Sequence, residues 1–185
     1  MPGGWPSSAI GHSSRRRGRV SALLTNVLTT ADPYKTPEGE PTLRAVLERG
    51  AAQVRRDLAD EPELRAEMLT VIGRVQQRLG RHAEAQPLLE EALVIGRRVT
   101  PGGSARLAAT LNNLGVLHVE RGRPAEAVPL LDEALALRRR WLGARHADVA
   151  ITQVELGRAY HDLGRLSEAE RLFREALALR DAGFG

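Results

Sequence analysis

Five histidines are the side chains in this sequence best suited to metal or proton chemistry: His12, His82, His118, His146 and His161. A zinc site needs ligands brought together at helical or loop spacing, and none of the five forms an H-x-x-x-H pair. The chain has no cysteine, which removes thiolate metal sites, disulfides and cysteine nucleophiles together. His118-x-Glu120 has no Pro-Cys-x-x-Cys to complete a zinc-activated water site. Adjacent carboxylates such as Glu90-Glu91 fall on a helix surface with no pocket, and Gly103-Ser104-Ala105 reads as a loop before a helix, not as a nucleophile turn. No catalytic residue, metal or cofactor is expected, and His118 reads as a packing histidine.

The remaining chemistry is recognition. The net charge is +4, and the basic residues are almost all arginine, with Lys35 the single lysine. Residues 1–40 hold Arg15, Arg16, Arg17, Arg19 and Lys35 against Asp32, Glu38 and Glu40, so the excess is split evenly, +2 there and +2 over the rest. That even spread is no footprint for nucleic acid. No apolar run reaches the roughly 18 residues of a membrane span. Val20–Leu28 is too short and too polar for a secretory signal, and no small-residue cleavage site follows. The lack of cysteine fits a reducing compartment, so a cytoplasmic location is expected. Forked arginine hydrogen bonds suit carboxylates, the side chains or C-terminus of a peptide.

Those groups must be positioned by helices. Hydrophobic residues make up 42% of the chain and aromatic residues 3%, so the core is leucine, alanine and valine, a composition that favours packed helices over strands. Three segments align without gaps: IGRVQQRLGRHAEAQPLLEEALVI from Ile72, LGVLHVERGRPAEAVPLLDEALAL from Leu114 and LGRAYHDLGRLSEAERLFREALAL from Leu156, each offset by 42 residues. Gly73, Gly115 and Gly157 recur, as do Gly80, Gly122 and Gly164. Leu107, Leu111, Leu114 and Leu117 mark one helix face. Gly122 ends that helix by supplying the left-handed conformation of a C-cap. Pro124 opens the next helix, and Glu126 complements its dipole. Gly115 and Ala127 are small where two helices must cross. Each copy is therefore a helix–turn–helix, and such hairpins bury their apolar faces only by stacking.

The third copy, Leu156-Gly157-x-x-Tyr160 followed by Ala169-x-x-x-Phe173, resembles the tetratricopeptide repeat. Gln76 and His118 replace the tyrosine in the first two copies, while Leu69, Leu111 and Gln153 stand where the pattern has tryptophan. The period of 42, longer than the usual length of about 34, is similar to the kinesin-light-chain subclass, as is the linker Leu142-Gly143-Ala144-Arg145-His146-Ala147-Asp148. The resemblance implies an all-α fold, a right-handed superhelical α-solenoid. The expected units are 62–103, 104–145 and 146–185, preceded by an irregular segment 1–40 and a lead-in helix 41–61 with Thr42 as N-cap. Leu24 through Asp32-Pro33, Thr42-x-Arg44-x-x-Leu47-x-Arg49-Gly50 and Leu58-Ala59-x-x-Pro62 also resemble the start of the repeat region in bacterial serine/threonine kinases. No glycine-rich loop, His-Arg-Asp or Asp-Phe-Gly is present, so kinase activity is not expected of these residues.

In this family the first helices line a concave face that holds ligands, which implies a protein or peptide partner. The outward positions include Glu67 and Thr70, and the site is expected at Arg74, Gln77, Arg78, Asn112, Val116, Glu120, Arg158 and His161. Arg74, Arg78 and Arg158 suit a carboxylate, and Asn112 suits a peptide backbone. These positions vary between copies where the packing positions repeat. Leu172, Phe173, Leu177 and Leu179 lie on a helix that a further helix normally covers. The second expectation is therefore a detached or truncated regulatory repeat region of a bacterial serine/threonine kinase signalling protein, without kinase activity itself, that self-associates through such an open edge.

Overall fold

The computed structural model describes residues 43–183, which divide into two units, one ending at Arg56 and one beginning at Asp57. The expected irregular segment 1–40, the Thr42 cap and the arginine run lie outside the described residues. In the first unit, α1 (Leu43–Asp57) is amphipathic, burying Gly50, Ala51 and Val54, with Arg44 and Glu48 paired at 2.7 Å on its exposed side.

The second unit consists of three helical hairpins: α2 (Pro62–Arg78) with α3 (His82–Val99), α4 (Ala105–Glu120) with α5 (Pro124–Leu142), and α6 (Ala147–Asp162) with α7 (Leu166–Asp181). No strand occurs among the described residues.

Each hairpin turn is a Schellman motif. Gly80, Gly122 and Gly164 have φ of 72°, 69° and 73°. The N–H of the arginine that follows each glycine donates to a carbonyl five residues back: Arg81 to Gln76 at 2.9 Å, Arg123 to His118 at 2.8 Å and Arg165 to Tyr160 at 2.8 Å. The left-handed residue lets the chain satisfy its last carbonyls while turning back. Pro62 and Pro124 open α2 and α5, where a missing N–H costs little. The connections between hairpins are capped by side chains. Ser104 Oγ accepts the Leu107 N–H at 3.1 Å, and His146 Nδ1 accepts the Asp148 N–H at 3.1 Å.

The other recurring glycine sets the crossing. A methyl group added at Gly115 would lie 2.6 Å from Leu131 Cγ, and one at Gly73 would lie 2.9 Å from Leu89 Cγ. Hydrogen on Cα is what lets the two helices approach so closely. The core runs between hairpins: Leu89, Leu111 and Leu117 are fully buried in one cluster, while Leu131, Val149, Leu156 and Ala169 are buried in the next. Each such leucine contributes about 1.5–3 kcal/mol by leaving water.

Candidate peptide-binding face

The first helices α2, α4 and α6 pack against one another. The second helices reach across by long side chains instead: Arg97 to Glu133 at 2.6 Å, and its repeat counterpart Arg139 to Glu175 at 3.3 Å. Helix α4 packs against both α2 and α6, so the three first helices form one continuous face.

The expected site residues divide there into two groups. Arg74, Arg78, Arg158 and His161 are exposed on the face, and Val116 is half-buried. Arg158 is paired with Glu155 at 2.8 Å, and His161 Nδ1 lies 3.4 Å from Asp162. Gln77 and Asn112 are turned into the seams between first helices. Gln77 is buried, and its Nε2 donates to Glu120 Oε2 at 2.8 Å, which engages Glu120 too. Asn112 is 5% exposed, and its Oδ1 accepts from Thr152 Oγ1 at 3.1 Å and from Arg138 Nη1 at 3.2 Å. An extended ligand passing over the face does not meet that oxygen. The reason is the depth of the position: on adjacent, directly packed helices, this register points across to the neighbour.

The seams follow the repeat. Thr70 Oγ1 lies 2.8 Å from Thr110 Oγ1 between α2 and α4, and Asn112 with Thr152 occupies the same two positions between α4 and α6. The second seam also takes in Arg138 from α5, a residue only 6% exposed. Its Nη1 donates to the Asp148 carbonyl at 2.7 Å and to Thr152 Oγ1 as well as to Asn112, and its Nη2 lies 3.9 Å from the Asp148 carboxylate. Burial lowers the Arg138 pKa and Asp148 opposes that, but a guanidinium stays charged across any ordinary pH. Sequence reading did not single out Arg138, Thr110 or Thr152. The signal was available: Arg138 stands where the first copy has Gly96.

A cavity of about 540 Å³ opens between α2, α3 and α4. Its wall includes Glu67, Thr70 and Arg74 of α2, Gly96 of α3, and Arg106 and Thr110 of α4. Arg106 Nε lies 3.0 Å from Glu67 Oε2 at the rim. That volume is in the range of small-ligand pockets. Of the expected residues only Arg74 contributes to it.

The Arg165 guanidinium stacks 4.2 Å from the Tyr160 ring centroid. Burial raises the Asp132 pKa, against the lowering effects of Tyr160 and Arg165. Arg165 forks onto Glu168 and lowers the pKa of that carboxyl. His118 is buried, with Nδ1 3.3 Å from Glu126 Oε2 but outside hydrogen-bond alignment. Among the described residues no three His, Asp or Glu side chains gather as a metal site, and no helix is long and apolar enough to cross a membrane.

The family model for the tetratricopeptide repeat matches residues 64–135 and 106–182. The chain belongs to the tetratricopeptide repeat family. Repeats of this family generally mediate protein–protein interaction. No curated protein matches the chain by sequence. Among solved structures, a single-substitution form of a Podosopora anserina protein named for kinesin light chain, with nearly identical TPR-like repeats, is 22% identical over 91% of this chain and 88% of that one, with a TM-score of 0.61. BtubC (BKLC) from P. vanneervenii is 21% identical over 95% of this chain and 78% of its own, with a TM-score of 0.64. MamA of AMB-1 is 22% identical over 95% and 98%, with a TM-score of 0.54. At these identities the likeness is one of fold, and it is the all-α repeat solenoid that the 42-residue period implied.

Proposed function

We propose that this chain is an interaction scaffold that holds a peptide or protein partner along α2, α4 and α6, with the three units 62–103, 104–145 and 146–185 acting as one array. The observation that carries this reading is the cavity at the first seam. It opens beside exposed Arg74 of α2 and offers a concave, partly polar feature where a partner side chain can be held. Arg74, Arg78 and Arg158 supply charge-assisted donors for carboxylates along the same line. The resemblance to kinase-associated repeats, carried in the described part by Arg44, Leu47, Arg49, Gly50, Leu58, Ala59 and Pro62, adds a signalling context, not an activity.

The test is selection of peptides from a random library on the full chain, followed by fluorescence anisotropy. Arg74→Glu together with Arg78→Glu is expected to weaken the selected peptides about tenfold or more, the value of one or two charged hydrogen bonds. Arg98→Glu, on a second helix, is expected to leave them unchanged. Equal loss in both variants, or selected peptides insensitive to either, would sink the proposal.

A second use of the fold is self-association through α7. Leu131 and Leu135 are buried, whereas their counterparts Phe173 and Leu177 are 37% and 47% exposed beside a hollow of about 380 Å³. Light scattering on the parent chain and on Leu177→Glu checks it: a dimer that becomes a monomer supports the contact, and a monomer in both excludes it.

A further inference from the structure

The cavity at the first seam has a filled twin. Shifting the four residues of the Arg138 network back by one period of 42 gives Thr70 for Asn112, Gly96 for Arg138, Arg106 for Asp148 and Thr110 for Thr152. All four counterparts line the cavity. The space is therefore the one that an arginine side chain occupies one repeat later, left open because residue 96 has no side chain.

Of the surroundings that hold a guanidinium at the second seam, the hydroxyl and carbonyl oxygens have counterparts, while the Asp148 carboxylate is replaced by the Arg106 side chain and the Asn112 amide by the Thr70 hydroxyl. Thr70 and Thr110 keep their hydroxyl oxygens 2.8 Å apart, and each hydroxyl has two lone pairs and one proton, so acceptor capacity remains after they bond each other and the backbone. The Arg106 carbonyl matches the Asp148 carbonyl that accepts from Arg138. These inner groups are oxygens, and the cationic side chains of Arg74 and Arg106 stand with Glu63 and Glu67 in the wall. The four formal charges cancel, and Arg106 is tied to Glu67, so an incoming cation meets no excess positive charge. Val71, Ala92 and Val99 give the stem of such a side chain an apolar wall. A carboxylate in the same place would find few donors at depth. An ammonium has no planar fork with which to reach several acceptors at once.

Building on the groove reading above, we propose that this cavity is a specificity pocket for an arginine side chain of the bound partner, seated on Thr70, Thr110 and the Arg106 carbonyl as Arg138 is seated on Asn112, Thr152 and the Asp148 carbonyl.

The probe is Nα-acetyl-arginine amide, titrated into the ¹⁵N-labelled full chain and followed by NMR, with the citrulline analogue as its neutral isostere. Saturable shifts centred on the amides of α2 and α4 are expected, with an affinity on the order of millimolar for so small a fragment. Citrulline is expected to bind about tenfold more weakly, because its urea lacks the charge. Gly96→Arg is expected to abolish the shifts by filling the cavity from within. Thr70→Val with Thr110→Val keeps the shape, removes the acceptors and serves if Gly96→Arg fails to fold; it too is expected to weaken the probe at least about fivefold. Absence of saturable shifts, equal binding of citrulline, or undiminished binding by a folded variant of either kind would overturn the assignment. If library-selected peptides bind while the arginine amide neither binds nor competes with them, the pocket fails and the groove stands. If the amide binds at α2 and α4 but no peptide is ever selected, the groove fails and the pocket stands.

Discussion

The junction of α2, α3 and α4 and the junction of α4, α5 and α6 share one frame and are filled differently. In the later one Arg138 crosses from a second helix to both first helices and donates to three oxygens. In the earlier one Gly96 leaves that space open, and the two threonines bond each other. Burying a guanidinium is costly unless its hydrogen bonds are made, and at the second junction Nη1 makes them while Nε has no partner. An open cavity forfeits the packing contacts of its lining instead. A repeat scaffold tolerates both solutions because neighbouring units carry the remainder of the core. One residue type at one register thus decides whether a junction is structural filler or a place where something else can enter.

The largest expected effect comes from emptying the filled junction. Arg138→Ala removes the donor to Asn112, Thr152 and the Asp148 carbonyl and leaves a void, at a cost of about 2–4 kcal/mol. The figure stays below that of a fully buried ion pair, because the Asp148 side chain is 40% exposed and regains water. Gly96→Ala is expected to change stability by less than about 1 kcal/mol, since better helix propensity offsets a new methyl 3.0 Å from Leu107 Cδ1. Urea midpoints of the two variants check this; equal losses would break the contrast between the junctions.

A smaller contrast separates the interior hairpin from the last one. At Gly115 an added methyl meets Leu131, a fully buried side chain with no room to shift. Gly115→Ala is expected to cost about 1–3 kcal/mol through overpacking. At Gly157 the methyl meets the ring edge of Phe173 at 2.6 Å, but that ring is exposed on one side and can swing. Gly157→Ala is expected to cost under about 1 kcal/mol, helix propensity offsetting the shift. Thermal unfolding by circular dichroism distinguishes them.

The parts of the molecule legible in the sequence are those that local chemistry and the repeat dictate together. Gly122 at a positive φ, Pro124 at the first helical position and Gly115 against Leu131 each follow from what one residue can do sterically, reinforced at a 42-residue offset. The seams were less legible. Variation between copies separated packing positions from free ones, but Gln77 and Asn112 vary because each seam uses its own polar pair, not because they face a ligand. Whether a polar residue on a helix points across a seam or out of a groove depends on the neighbouring helix, and helical periodicity alone carries no such information. Pro87 and Pro129 lie inside α3 and α5, where a sequence rule would end a helix. The surrounding hairpins hold those helices through them.

The smallest effect concerns pH and the carboxyl groups Asp132 and Glu168. Burial raises the folded-state pKa of Asp132 above its ordinary 3.8, so the stability linked to this group is fully present below 3.8 and is lost as pH rises through the elevated folded value. Glu168 runs the other way. Arg165 lowers its pKa from 4.5, so its contribution is present above 4.5 and is lost as pH falls through the lower folded value. Asp132→Asn is therefore expected to gain stability relative to the parent between acid and neutral pH. Glu168→Gln is expected to lose ground over the same rise. Melting curves of the three chains at pH 3.5, 5 and 7 read the two slopes. Slopes of the same sign for Asp132→Asn and Glu168→Gln would mean that burial of the one carboxyl and the Arg165 fork on the other do not set these titrations.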